Sequence, residues 1–279
     1  MILGGLQKFV LVHAYLSYSY TIDSRRKGAH PVHELFDHEH LDVYRVAIDY
    51  VAWGEPVCDA IRKSVAARDH MMRAGAGIPT SIAQATGVSS QKERRQSLDT
   101  AYGSTLECAA CLDVLSALGH LSEDTAGEGK AQLVRIVSML VRYRKKETMQ
   151  VSEASVSYGR APPARFDHED LHVYQRALEF VAWFGGFSRE PSVRRSTSMA
   201  LDKAATGVAL HIAEGNGKFS TADRGRFIEY ARVAALRAAA QLDVAVARAA
   251  ELRPRVGGGK NLLAECVRML VAWRKSIGA

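Results

Sequence analysis

Phe36-Asp37-His38-Glu39-His40-Leu41-Asp42-Val43-Tyr44 decides the fold, because the chain writes it twice. Phe166-Asp167-His168-Glu169-Asp170-Leu171-His172-Val173-Tyr174 follows at an offset of 130 residues. The match continues without a slip. Ala47, Val51, Ala52 and Trp53 recur as Ala177, Val181, Ala182 and Trp183, and Ile82-Ala83 and Gly87 recur as Ile212-Ala213 and Gly217. Leu112-Asp113-Val114 returns as Leu242-Asp243-Val244, and Met139-Leu140-Val141 with Arg144-Lys145 as Met269-Leu270-Val271 with Arg274-Lys275. A constant offset means two repeats of equal length and one fold, with a period too long for a solenoid of short repeats. Between them Met149 to Arg165 is rich in Ser and Ala and ends in Ala161-Pro162-Pro163, the composition of a linker. The expected division is an N-terminal extension at 1–35, a first repeat at 36–148, a linker at 149–165 and a second repeat at 166–279.

The periodicity inside each repeat is helical. Leu98, Ala101, Thr105, Leu112 and Leu115 form one stripe at three- and four-residue spacing, and Ile228, Ala231, Ala235, Leu242 and Ala245 repeat it. No stretch alternates as a strand does. Asp37 and Asp167 suit N-caps, with Phe36 and Phe166 stapled onto Leu41 and Leu171. Gly54-Glu55-Pro56 and Gly185-Gly186 read as breaks after the first helix, and Gly87 and Gly217 as ends of the second. Gly119, and Pro254 with Gly257-Gly258-Gly259, close the third. Four amphipathic helices with short connections bury their stripes most simply as a bundle. The expected fold is therefore all-α: two tandem up-and-down four-helix bundles joined by a Ser/Ala/Pro linker.

Composition narrows the function classes. At 279 residues, and roughly 100–200 residues per domain, two domains are expected. Hydrophobic residues make up 47%, enough for real cores. No apolar run reaches the roughly 18–20 residues of a membrane span. Met1 to Tyr20 is apolar and aromatic, but Lys8 adjoins the run and no small-residue cleavage site follows, so an extension is expected there, not a leader. Cys58, Cys108, Cys111 and Cys266 are too scattered for a disulfide framework, which suits a reducing, cytoplasmic setting.

Several motifs resemble a known family, the four-helix-bundle 23S rRNA-intervening-sequence proteins, itself similar to the accessory protein of diversity-generating retroelements. Its helix-one opening, Phe-x-x-Leu-x-Val-Tyr, resembles Phe36 to Tyr44 and Phe166 to Tyr174. Its Ser-Ile-Pro-Ser-Asn-Ile-Ala-Glu-Gly signature is similar to Gly77 to Ala85 and to Gly207 to Gly215. Its Ala-x-Gly-Ser-x-x-Glu core resembles Ala101, Gly103-Ser104 and Glu107, of which the second repeat keeps only Ala231. The first repeat has Gln84 where the family has Glu and keeps Glu107; the second keeps Glu214 and has Arg237. A function that needs both acidic positions within one bundle is thus not expected. The resemblance implies small cytoplasmic non-enzymatic bundles, often pentameric. For the retroelement branch it implies binding of RNA and a reverse transcriptase through basic surface. Five positions cannot be filled by whole two-repeat chains, so either the bundles pair within the chain, which is expected, or one bundle forms the ring and the other hangs outside.

Two constellations suggest chemistry. His168-Glu169-Asp170-Leu171-His172 matches the H-E-x-x-H zinc pattern, in which two imidazoles one turn apart hold the metal and Glu169 is the base of a zinc hydrolase. The first repeat reads His38-Glu39-His40-Leu41-Asp42 and lacks the second ligand, so helix-start composition explains the motif better. Cys108-Ala109-Ala110-Cys111 has no second pair and no adjoining βαβ pattern, and Cys108 falls on the apolar stripe; core thiols are expected. Gly257-Gly258-Gly259-Lys260 lacks Walker spacing. No cofactor, catalytic residue, metal ligand or small-molecule substrate is expected.

Charge is the remaining signal. Residues 36–149 carry 14 basic and 15 acidic side chains, and residues 166–279 carry 17 and 12. Arg226, Arg237 and Arg248 lie eleven apart, about three helical turns, and so share one strip flanked by Tyr230 and Gln241. The first repeat has Gln96, Glu107 and Leu118 at the corresponding positions. An arginine row beside an aromatic suits a phosphate backbone with base stacking, whereas a solvated outer face explains it more plainly. The expected function is a non-enzymatic oligomeric scaffold or accessory protein, self-associating and binding RNA through Arg226, Arg237, Arg248, Tyr230 and Gln241. The alternative is a purely structural protein–protein interaction module.

Overall fold

The computed structural model describes residues 36–63, 65–149 and 165–278. The expected extension at 1–35 and nearly all of the expected linker lie outside the described residues. Each repeat supplies four long helices: α1 (Asp42–Ala60), α2 (Ala66–Gly87), α3 (Gln91–Ala117) and α4 (Glu123–Met149), then α5 (His172–Phe187), α6 (Arg195–Gly217), α7 (Thr221–Arg248) and α8 (Gly257–Ser276). Short 3-10 turns at Asp37–His40, Asp167–Asp170 and Ala250–Arg255 complete the described structure, which contains no strand. Within the first repeat each helix packs on the next and α4 returns to α1. Helices α5 to α8 repeat that cycle, the contact pattern of a four-helix bundle.

Sequence explains most boundaries. The stripes Leu98–Leu115 and Ile228–Ala245 are buried, and they hold the third helix of each repeat in its core. Ser90 and Ser220 cap α3 and α7, each accepting a hydrogen bond from the amide three residues on. Gly87 and Gly217 end the second helices as expected, and Gly119, with φ +72°, turns the chain after α3.

Three local expectations need correction. Asp37 and Asp167 do not cap the first helices; they lie inside a 3-10 turn that stops where Leu41 and Leu171 become extended. Glutamates close those turns instead: the Phe36 amide donates to Glu39 (2.7 Å) and the Phe166 amide to Glu169 (3.2 Å), while the helices that follow start at Leu41 and Leu171 without a side-chain cap. The phenyl rings of Phe36 and Phe166 stack on His38 and His168. Gly54-Glu55-Pro56 does not break α1, which runs on to Ala60. Pro56 removes one helical N–H, but burial of Cys58 and Ile61 beyond it outweighs that loss. Gly185-Gly186 likewise stays helical, because Phe187 must reach the core, where it stacks on Trp183 at 5.0 Å.

The repeats also share an internal lock. A Cβ on Gly129 would collide with the Trp53 ring, and one on Gly259 with the Trp183 ring, so a bare backbone is required where the fourth helix crosses the first. Gly→Ala normally stabilises a helix by about 1 kcal/mol. Here overpacking, about 1–3 kcal/mol, should win. We expect Gly129→Ala and Gly259→Ala each to lower the urea midpoint; a raised midpoint would refute the lock.

Residues 36–279 form one compact unit. Helix α3 packs against α5 and α6, and α2 packs against α6. Among the described residues α7 makes no comparable contact with α1 or α2, so the two repeats meet through different faces, head to tail.

Candidate functional site

The seam between the repeats holds a cluster of partly buried charged and polar groups. Lys130 of α4 places its ammonium 2.9 Å from Asp113 Oδ1 in its own repeat and 2.9 Å from Glu169 Oε2 in the other. The Tyr174 hydroxyl donates to Asp113 Oδ2 at 2.8 Å. One cation thus neutralises two carboxylates with a second donor, Tyr174, in place, the arrangement under which a partly buried ion cluster becomes favourable. Beside it Leu106 of α3 fits against Gly217, where any Cβ would strike Leu106 and Tyr102. Gly185 receives Leu118 in the same way, a Cβ there lying 3.3 Å from Leu118 Cδ2. At the far end the Ala66 amide, first of α2, donates to Asp202 Oδ2 of α6 at 2.7 Å, so one repeat caps a helix of the other. Arg144 lies 3.7 Å over the Phe219 ring.

A second cluster crosses the same seam. His70 Nδ1 pairs with Glu107 at 2.7 Å, and His211 Nδ1 lies 3.9 Å from Glu214. Burial, with the Glu107 charge across the seam, pushes the Glu214 carboxyl up to about 8, against a smaller opposing pull from Lys218. Burial and the nearby His70 push His211 down. The two acidic positions that the sequence splits between the repeats therefore act on each other. Reading each repeat as a separate bundle conceals this; only the head-to-tail seam, which no periodicity reports, brings them together.

The H-E-x-x-H motif is taken apart. His168 sits in the 3-10 turn, buried, with its Nε2 lacking a hydrogen-bond partner among the described residues. Burial, and then Lys130, push its imidazole down to about 3, so it is neutral. His172 opens α5 and lines a shallow surface cleft with Gln175, Arg176, Glu179 and Arg268. The extended Leu171 breaks the helical register that would put both imidazoles on one metal. Glu169, the would-be base, is committed to Lys130. Asp113, His168 and Glu169 do offer ligand atoms within 4.8 Å of one another, but Lys130 bonds both carboxylates and supplies the cation. Cys108 and Cys111 are fully buried, and burial pushes both thiols up, away from nucleophile or ligand behaviour.

The basic strip on α7 is partly spent. Arg226, Tyr230, Arg237 and Arg248 are exposed and Gln241 is half-buried. Arg226 pairs with Asp223 at 2.8 Å. Arg248 donates to the hydroxyls of Ser196 (3.2 Å) and buried Thr197 (2.7 Å), a structural duty. Tyr230 packs beside His211, 5.6 Å between ring centroids. No helix among the described residues is long and apolar enough to cross a membrane.

The helices α1 to α4, with their Trp–Gly lock and their seam face, form the segment that known sequences recognise. Residues 39–142 match the 23S rRNA-intervening sequence protein family. The match takes in most of the first repeat and stops before the second. No curated protein and no solved structure matches the chain. Within the matched segment Glu107 pairs with His70, and the Glu214 carboxyl of the second repeat feels the Glu107 charge across the seam.

Glu214 makes the seam sensitive to pH. The folded protein holds this proton well above the pH at which an unfolded chain releases it, so its contribution to stability falls from about pH 4.5 to about pH 8 and then levels. Glu214→Gln should match the parent near about pH 5 and melt higher above about pH 8. Parallel melting curves across that window would contradict the seam electrostatics.

Proposed function

We propose that the protein is a non-catalytic scaffold, an accessory protein of duplicated origin that works by presenting helix faces and not by making or cutting bonds. The observation that carries this reading is the fate of its reactive side chains. Asp113, Glu169, Lys130 and Tyr174 are bonded to one another, and His168 is buried and neutral. What remains for partners is helix surface. Metal content tests the non-catalytic reading. We expect the purified protein to hold zinc well below one equivalent, with no loss on His168→Ala; stoichiometric zinc lost in that variant would restore the hydrolase reading.

One observation favours RNA as a partner. Arg237 is exposed on α7 with no ion-pair partner among the described residues, two turns from exposed Tyr230. A phosphate contact there suits the +5 balance of the second repeat. In titrations of single-stranded RNA at two salt concentrations, Arg237→Glu should weaken binding most and reduce the salt slope by about one contact. Arg226→Glu should weaken it less, and Arg248→Glu should act chiefly on stability, by unpairing Thr197. Affinity unchanged in all three variants would remove RNA from the reading.

A further inference from the structure

We propose that Asp113, His168 and Glu169 form a divalent-metal site across the seam, and that the Lys130 ammonium holds the metal's place in it. The proposal goes beyond the scaffold reading and does not depend on it. One imidazole with two carboxylates is a donor set for a first-row divalent metal such as zinc, cobalt or manganese, whereas calcium and magnesium prefer oxygen alone. One ligand atom from each of the three residues lies within 4.8 Å of the other two. No other trio of histidine, cysteine, aspartate or glutamate among the described residues gathers so closely. The equivalent groups of the opposite ends, His38 and Glu39, form no such trio with Asp243, which pairs with Lys260 of its own repeat.

The donors are already aimed. Asp113 Oδ1 and Glu169 Oε2 face one point, the Lys130 ammonium, at 2.9 Å each. The second oxygen of each carboxylate is held by an outer donor: the Tyr174 hydroxyl on Asp113 Oδ2 at 2.8 Å, and the Phe166 amide on Glu169 Oε1 at 3.2 Å. Outer bonds of this kind orient the ligands of a metal site. His168 is 1% exposed, its ring stacked on Phe166 and set edge-on to Tyr174, with centroids 5.5 and 4.7 Å apart. Its Nε2 has no hydrogen-bond partner among the described residues. An ion cluster of one lysine and two carboxylates gives this fixed, buried imidazole nothing to do; ligation of a metal gives it a role.

Charge and access point the same way. One ammonium against two carboxylates leaves one negative charge uncancelled in a partly buried cluster, and a divalent cation would cancel both. The side chains of Lys130, Asp113 and Glu169 are 20%, 13% and 16% exposed, so the ammonium can withdraw into water and an ion can enter by the same opening. Asp113 comes from the first repeat and His168 and Glu169 from the second, so a metal here would clamp the seam as Lys130 does. This site is also distinct from the H-E-x-x-H reading, because Asp113 across the seam stands in for His172 as the third ligand.

Cobalt(II) titrated into the full-length chain tests this through the visible absorption of the bound ion. Lys130→Ala should take up one equivalent, bind at least about a hundredfold more tightly than the wild type, and melt higher with cobalt than without it. Lys130→Gln, which keeps a neutral donor beside the carboxylates, should bind in the same way and serves if Lys130→Ala does not fold without metal. Adding His168→Phe to either variant keeps the aromatic packing and should abolish the absorption, whereas adding His172→Ala or His38→Ala should leave it unchanged. No stoichiometric cobalt in either lysine variant, wild-type binding as tight as theirs, binding that survives His168→Phe, or loss on His172→Ala would each overturn the proposal. The scaffold reading stands or falls separately, on the zinc content of the purified wild type.

Discussion

Lys130 reaches from the fourth helix of the first repeat to a carboxylate on each repeat, and the rest of the seam is arranged around that reach. Asp113 alone would be a poorly solvated anion on a helix face, and Glu169 alone only the cap of a short turn. With Lys130 between them and Tyr174 donating to Asp113, each charge that burial strips of water gains a partner. The Leu106–Gly217 and Leu118–Gly185 fits exclude solvent beside the network, which strengthens its electrostatics. The pairing is directional: it joins a lysine and an aspartate of one unit to a glutamate and a tyrosine of the other.

That directionality explains how helices at matching positions in the two repeats come to differ. Tyr174 is 1% exposed and its counterpart Tyr44 is half-buried, although both open the first helix at the same register. The difference lies in what covers them. At the seam, burial and the Glu107 charge likewise push the Glu214 carboxyl up to about 8. Burial at the seam, and not the local sequence, sets the chemistry of these positions.

Much of the fold was legible in the residues. The buried stripes, the glycine ends of α2 and α6, the all-helical class and the equal length of the repeats all follow from local periodicity and a constant offset. What escaped was whatever tertiary packing overrode. Pro56 stays within α1 because Cys58 and Ile61 lie beyond it, and Gly185 is helical because Phe187 beyond it reaches the core. The split of the first helix at Leu41 and Leu171 escaped as well, since a glutamate reaching back over one turn leaves no periodic trace. The candidate site was the least legible. The strip through Arg226, Arg237 and Arg248 was visible because it follows one helix, and the structure shows Arg248 serving Thr197. The seam itself joins residues at least 39 positions apart, where no spacing rule operates.

A double-mutant cycle on Lys130 and Glu169 measures the central interaction most directly. Lys130→Met, Glu169→Gln and the pair together would be unfolded in urea as full-length chains. If the two repeats are held by this contact, the variants will couple by about 0.5–3 kcal/mol, as members of one ion-pair network do. Strict additivity, within about 0.5 kcal/mol, would mean that the repeats do not meet there.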